Sequence, residues 1–351
     1  MKSKSIKDVY MEKKRFIQVM NLFLSGTLLV SGALFLSGCT SGEDADTSLR
    51  IRLGAATRLQ SRAAVNDLAG LSAVGSNVGI YGMVTTQSSS TTPLGEGWSL
   101  VPLMDNIRTT AIDASTGAIG WAESYTYPVE EGSYVRFCAY HPYAPVGLSG
   151  SNYVVAPAAG RAPELYFTLT GSQDVMHATP VTGSKSVTPG TLVFNHVLTQ
   201  IRFRIVDETG NFSGETLHAI TFNGVNTTSS MNLESGALGS WGNPSSTISA
   251  GVDTPVTMTG TPAAAQEVGS PVMLQPGQAS FSVKVVTSKG TFGAVSIRPT
   301  SSTDGGSTTE SSFAAGRSYL VTLLFRGLTE LAVTATVTPW VMDGTGEGIV
   351  Q

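Results

Sequence analysis

Gln200-Ile201-Arg202-Phe203-Arg204-Ile205-Val206 places an apolar side chain at every second residue, with two arginines between them. A period of two sends Ile201, Phe203 and Ile205 to one side of a strand and both arginines to the other. The same kind of run recurs at 78–84, 134–140, 281–286, 319–325 and 331–337, rich in β-branched and aromatic residues. No helical period of convincing length competes with it, so the chain reads as all-β. Between the runs lie turn-rich stretches. The Ser/Thr tract 85–93 and the segment 300–312, which carries Asp304-Gly305-Gly306, read as long hairpin tips. Strands spaced by such turns point to β-sandwiches.

A chain of 351 residues is too long for one small sandwich, so two in tandem are expected. The expected boundary falls within 179–189, where two prolines, Gly183, Ser184 and Ser186 break the pattern. That gives sandwiches at 63–184 and 185–351. Pro128, Pro142 and Pro145 bracket the 134–140 run, which predicts a short strand or one at a sheet edge. Composition agrees with a loop-rich β protein: 41% hydrophobic, 13% charged, 39 Gly and 16 Pro. It is too apolar for a disordered chain and too poor in charge for a coiled coil. A net charge of −4 offers no basic face to nucleic acid. Two cysteines are too few for a disulfide scaffold.

The first 38 residues read as an address. A basic run, Lys13 to Arg15, precedes an apolar stretch that ends in Leu36-Ser37-Gly38-Cys39. That ending resembles a bacterial lipobox, in which the cysteine is acylated and becomes the new N-terminus. The alternative is a membrane-spanning helix, but the flank Ser-Gly-Cys-Thr-Ser-Gly lacks a basic stop signal. Met11 precedes a compact signal and is a second candidate start. Cleavage before Cys39 removes six basic and two acidic residues, leaving 15 basic against 23 acidic. The acids Glu43, Asp44 and Asp46 follow the lipid site; they read as a solvated tether, and they also resemble a surface-export signal.

Residues 39–62 form that tether and a candidate pro-strand. Arg50, Arg52, Arg58 and Arg62 cluster there. They balance the preceding acids, or they mark a site for a trypsin-like protease. Leu49-Arg50-Ile51-Arg52-Leu53 alternates as a strand does.

Chemistry is sparse. There is no His-Glu-x-x-His, no Cys-x-x-Cys, no phosphate-binding Gly-x-x-x-x-Gly-Lys-Ser/Thr and no Gly-x-Ser-x-Gly. Cys138 and His141 fall on opposite faces of one strand, which argues against a nucleophile pair. His177, His196 and His218 are far apart; a lone His in an apolar run, such as His196, is more often a satisfied core residue than a ligand. Neither an enzyme, a cofactor nor a metal is expected. Trp98, Trp121 and Trp241 read as core or hairpin packing, with a sugar-stacking platform as the alternative.

The order of several segments resembles the fimbrillin superfamily of Bacteroidetes, subunits and accessory proteins of type V pili. Val78-Gly79-Ile80-Tyr81-Gly82 is similar to its early core strand. Phe137-Cys138-Ala139-Tyr140-His141-Pro142-Tyr143 resembles its Tyr-Pro-Tyr segment. Asp174-Val175-Met176-His177-Ala178 and Phe194-Asn195-His196-Val197-Leu198 resemble its Asp-Leu-Met and Phe-x-His-x-Leu segments. The run from Val333 to Val341, with Trp340, resembles its closing strand.

The resemblance implies transthyretin-like sandwiches and a lipoprotein precursor acylated at Cys39, held at the outer membrane or in a fimbria. It further implies an Arg-specific protease that removes the first strand. Arg62, 19 positions before Tyr81, is the leading processing candidate and Arg58 the second. The excised strand would be roughly 49–56. The implied donor strand is the tail 341–351, with Val341, Ile349 and Val350 as apolar anchors. The implied partners are other fimbrillin subunits and, for an adhesive subunit, a surface glycan or protein. The other reading is a pilus anchor or a binding lipoprotein that never polymerises.

Overall fold

A computed structural model describes residues 49–57, 67–98, 102–147, 151–158, 160–252, 256–258, 266–303, 306–309, 311–326 and 331–338. Among them the strands are β1 (Ala55–Thr57), β2 (Gly79–Thr85), β3 (Met104–Arg108), β4 (Ala111–Ile112), β5 (Ile119–Gly120), β6 (Tyr134–His141), β7 (Tyr153–Ala158), β8 (Arg161–Thr168), β9 (Met176–Gly183), β10 (Leu192–His196) and β11 (Thr199–Asp207). They continue as β12 (Thr216–Asn223), β13 (Val225–Asn232), β14 (Gly242–Ser245), β15 (Val256–Thr257), β16 (Gln266–Leu274), β17 (Phe281–Thr287), β18 (Gly290–Ile297), β19 (Thr300–Thr303), β20 (Gly306–Thr309), β21 (Ser318–Phe325) and β22 (Leu331–Thr338). Among the described residues there is one short α-helix, α1 (Leu68–Ala73), capped by Asp67, whose carboxylate accepts from the Gly70 amide. The protein is all-β.

The first sheet has the order β1-β10-β9-β6-β2-β3 and the second β14-β13-β8-β7. The third runs β16-β11-β21-β22-β19-β20 and the fourth β15-β12-β17-β18, with β4-β5 a small hairpin. The expected boundary at 184/185 lies in the turn between β9 and β10, which are paired in the first sheet. The second sheet takes β7 and β8 from before that point and β13 and β14 from after it. The switch happens at Gly224, φ 65°, where the chain leaves β12 in the fourth sheet and enters β13 in the second. Only a residue without a Cβ takes that conformation cheaply.

β6 corrects one expectation. It spans eight residues and is central, paired with β2 on one side and β9 on the other. The bracketing prolines lie outside the strand, so they end it without removing a ladder donor. Its alternation feeds two cores. Val135, Phe137 and Ala139 join a cluster with Leu71, Ile112, Met176 and Phe194. Cys138 and Tyr140 join a larger cluster with Leu165 and Phe167 of the second sheet, which runs on to Phe203, Phe222 and Tyr319 of the third and fourth. In β11, Ile201, Phe203 and Ile205 are buried, while Arg202 reaches Glu267 at 3.0 Å and Arg204 donates to Thr322.

One buried ion pair ties distant segments together. Arg136 is fully buried and meets Glu234 at 2.8 Å. The Glu234 carboxylate also accepts from the Leu94 amide and the Trp98 indole, and Arg136 donates to the carbonyls of Ser89 and Thr92. The Ser/Thr tract is thus a loop strapped over a charge, held from the turn after β13.

Candidate functional site: a leading strand in a two-sided slot

Leu49-Arg50-Ile51-Arg52-Leu53-Gly54-Ala55-Ala56-Thr57 is the first described segment. Ile51, Leu53 and Ala55 are 3%, 4% and 3% exposed, whereas Arg50 and Arg52 face solvent. That is the period of two written in burial: apolar residues enter the smaller core and arginines stay wet.

One edge of the segment is paired over 54–57 and the other over 49–55. On one side β1 runs parallel to β10, with Ala55 opposite Leu192 and Thr57 opposite Phe194, and the Leu192 amide donates to the Gly54 carbonyl at 2.9 Å. On the other side stands the run 117–127. The Ile51 amide donates to Tyr125 O (2.8 Å) and the Ala55 amide to Gly117 O (2.8 Å). In return Ile119 donates to Leu53 O (3.0 Å) and Tyr127 to Leu49 O (2.9 Å). The leading strand therefore lies in a slot, not on a free edge.

Local chemistry fixes the far wall. The Asp113 carboxylate accepts from the amides and hydroxyls of Ser115 and Thr116, and these bonds hold its pKa far below the usual carboxylate range. The turn so formed presents Gly117 at φ 72°, where a Cβ would overlap the Ala55 carbonyl oxygen. Further along, Trp121 and Tyr125 meet edge to face at 6.4 Å, both half-buried. Tyr127 packs on Phe137 at 6.2 Å, and burial pushes its hydroxyl up to about 12. α1 packs against β1 and closes the slot from within.

The candidate residues Cys39, Arg58, Arg62, Val341, Ile349 and Val350 lie outside the described residues. The tryptophans do not share a platform. Trp98 is buried and bonded to Glu234, Trp241 packs on Phe167, and Trp121 packs on Tyr125 in the other cluster. The run 117–127 was not legible as a slot wall, because its pairing is long-range and leaves no local pattern.

The buried titratable groups make internal contacts. His196 Nδ1 meets the Asp174 carboxylate at 2.5 Å, both buried. Burial holds the pKa values of His141 and His177 below the ordinary histidine value and pushes the Cys138 thiol up. Among the described residues no group of three or more His, Cys, Asp or Glu is placed to hold a metal ion.

The profile of a family described as fimbrillin-like matches residues 61–340. No curated protein matches the chain. A fimbrial protein from Bacteroides vulgatus is similar in fold, with 14% identity and a TM-score of 0.51, over 83% of this chain and 100% of that one. A candidate cell adhesion protein from Bacteroides ovatus gives 15% identity and a TM-score of 0.50, over 84% and 98%. A third, a candidate cell adhesion protein from Bacteroides uniformis, gives 19% identity and a TM-score of 0.48, over 83% and 99%.

Proposed function

The chain belongs to the fimbrillin-like family, and on that premise we propose that it is a non-catalytic subunit of a surface fibre that assembles by exchanging its leading strand for a strand of another subunit. The observation that carries this reading is the slot. Its occupant is a short ribbon, buried on one face, hydrogen-bonded on one edge over 49–55 and on the other over 54–57, immediately ahead of Arg58 and Arg62. A cut at either arginine makes that ribbon separable from the rest of the fold.

Loss of the ribbon would uncover the amides of Ile119, Tyr127 and Leu192 and the carbonyls of Gly117 and Tyr125. A buried polar group left unpaired costs about 1–3 kcal/mol. The seats of Ile51 and Leu53 would each expose apolar surface equivalent to about 1.5–3 kcal/mol. An incoming extended strand restores both terms at once, which is the physical basis of β-augmentation. Acylation at Cys39 would hold the precursor at the outer membrane until an Arg-specific protease acts, and the tail 341–351 would be the lent strand.

The test is size analysis of the purified chain before and after an Arg-specific protease, with N-terminal sequencing of the product. The expected result is a cut at Arg62 or Arg58 followed by a ladder of assemblies, and no ladder from a chain carrying Arg58→Ala and Arg62→Ala. A cut chain that stays monomeric at high concentration refutes assembly by this route and favours an anchor or binding role.

A further inference from the structure

The slot is not uniform along its length. At the Ala55 end it is tight. The Ala55 side chain is 3% exposed and shares its apolar cluster with Leu71 of α1, which packs over β1, and the Ala55 carbonyl lies against Gly117. α1 is itself pinned: Ser72 Oγ donates to the Ile112 carbonyl at 2.5 Å, and a Cβ on Gly75 would collide with the Ile112 amide. At the Ile51 end, where Ile51 is equally buried, the wall is instead the half-buried Trp121–Tyr125 pair.

We propose that the slot selects its occupant by size at the Ala55 seat. The strand it takes runs in the direction of β10. It carries a large apolar residue, a second one two positions on, and alanine or glycine two positions after that. This rests on the exchange reading above and adds the register. Direction follows from the walls: the parallel pairing with β10 and the antiparallel bonds to 117–127 are both satisfied only by a strand oriented as β1 is.

The sequence holds an occupant of this kind in a second copy of the chain. Leu331, Val333 and Ala335 have the pattern, but their backbone is already paired with β21. Trp340, Met342 and Gly344 also have it and lie beyond β22; this register begins one residue ahead of the tail 341–351 and replaces Val341, Ile349 and Val350 as the seat residues. In that register Trp340 meets the aromatic border, Met342 takes the Leu53 seat and Gly344 the Ala55 seat. A register that starts on Val341 puts Asp343 in the Leu53 seat, and one that starts on Ile349 puts Gln351 there. Burying an unpaired charge or amide is costly.

The experiment uses the full chain cut by an Arg-specific protease, with the protease then quenched, and fluorescent peptides followed by anisotropy. The peptides are residues 47–57, the same with Ala55→Leu, residues 338–348, and the same with Gly344→Leu. The parent peptides are expected to bind, and each leucine variant at least tenfold more weakly, since overpacking a closed seat is unfavourable. Binding of Ala55→Leu or Gly344→Leu within threefold of its parent overturns the size rule while leaving strand exchange intact. Binding of 47–57 but not of 338–348 overturns the assignment of the tail register. Failure of every peptide, including 47–57, overturns the exchange reading and this inference together.

Discussion

Replacing Gly117 by alanine tests the slot from its wall. At φ 72° an alanine costs about 1–2 kcal/mol because its Cβ crowds the backbone. The new Cβ would also overlap the Ala55 carbonyl, so the strand must move and lose the Ala55 N–H to Gly117 O bond, about 0.5–1.5 kcal/mol. Together the terms favour opening of the leading strand by about 1.5–3.5 kcal/mol, or roughly 12- to 300-fold in the population of the open form. Hydrogen exchange at the Ile51 and Ala55 amides, both bonded to the 117–127 wall, reads that population directly. The control is Gly132→Ala. Gly132 has nearly the same backbone, φ 75°, but nothing within 4 Å of its added Cβ. It should leave both amides as protected as before. If Gly117→Ala leaves them within threefold of the parent chain, or if the control accelerates them equally, the slot is not held as described.

Two further outcomes follow from buried charge. Glu234→Ala strands the fully buried Arg136 and removes the acceptor for Leu94 and Trp98, so urea unfolding should show a loss of about 3–5 kcal/mol. The double change Arg136→Met with Glu234→Leu should recover most of it. For His177, burial holds the native pKa below the unfolded value of 6.5. The native state therefore binds fewer protons than the unfolded chain below that pH, and stability is full above 6.5 and falls as pH drops beneath it. The slope is at most about 1.4 kcal/mol per pH unit for one group. Melting curves between pH 8 and 5 should show the fall, and His177→Gln should make it shallower; a parallel decline in the variant would assign the effect elsewhere, with His141 sharing the same direction.

What the sequence disclosed was local. Residues 200–206 and 319–325 became β11 and β21 because alternation is a property of neighbours in the chain. Leu49 to Leu53 showed its alternation in burial the same way, although the strand itself, β1, is Ala55–Thr57. The 117–127 wall did not, since its partner lies some 70 positions upstream and its own side chains show no simple period. Nor could proline placement say whether β6 was central, because prolines just outside a strand constrain its length and not its position in the sheet. The Arg136–Glu234 strap joins residues 98 apart, and nothing near either one announces the other. The switch of sheets at Gly224 is likewise invisible in a pattern that looks continuous from 216 to 232.

The parallel alignment of β1 with β10 has a mechanical consequence. When an extended ribbon is drawn along its own axis beside a parallel neighbour, its cross-links bear the load together in shear. They do not give way singly, as they would if peeled from one end. β10 passes into β11 through Val197 and Leu198 alone, so strain entering at the slot is handed at once to a strand of the other apolar cluster. A pulled chain of such units would stiffen before it parted.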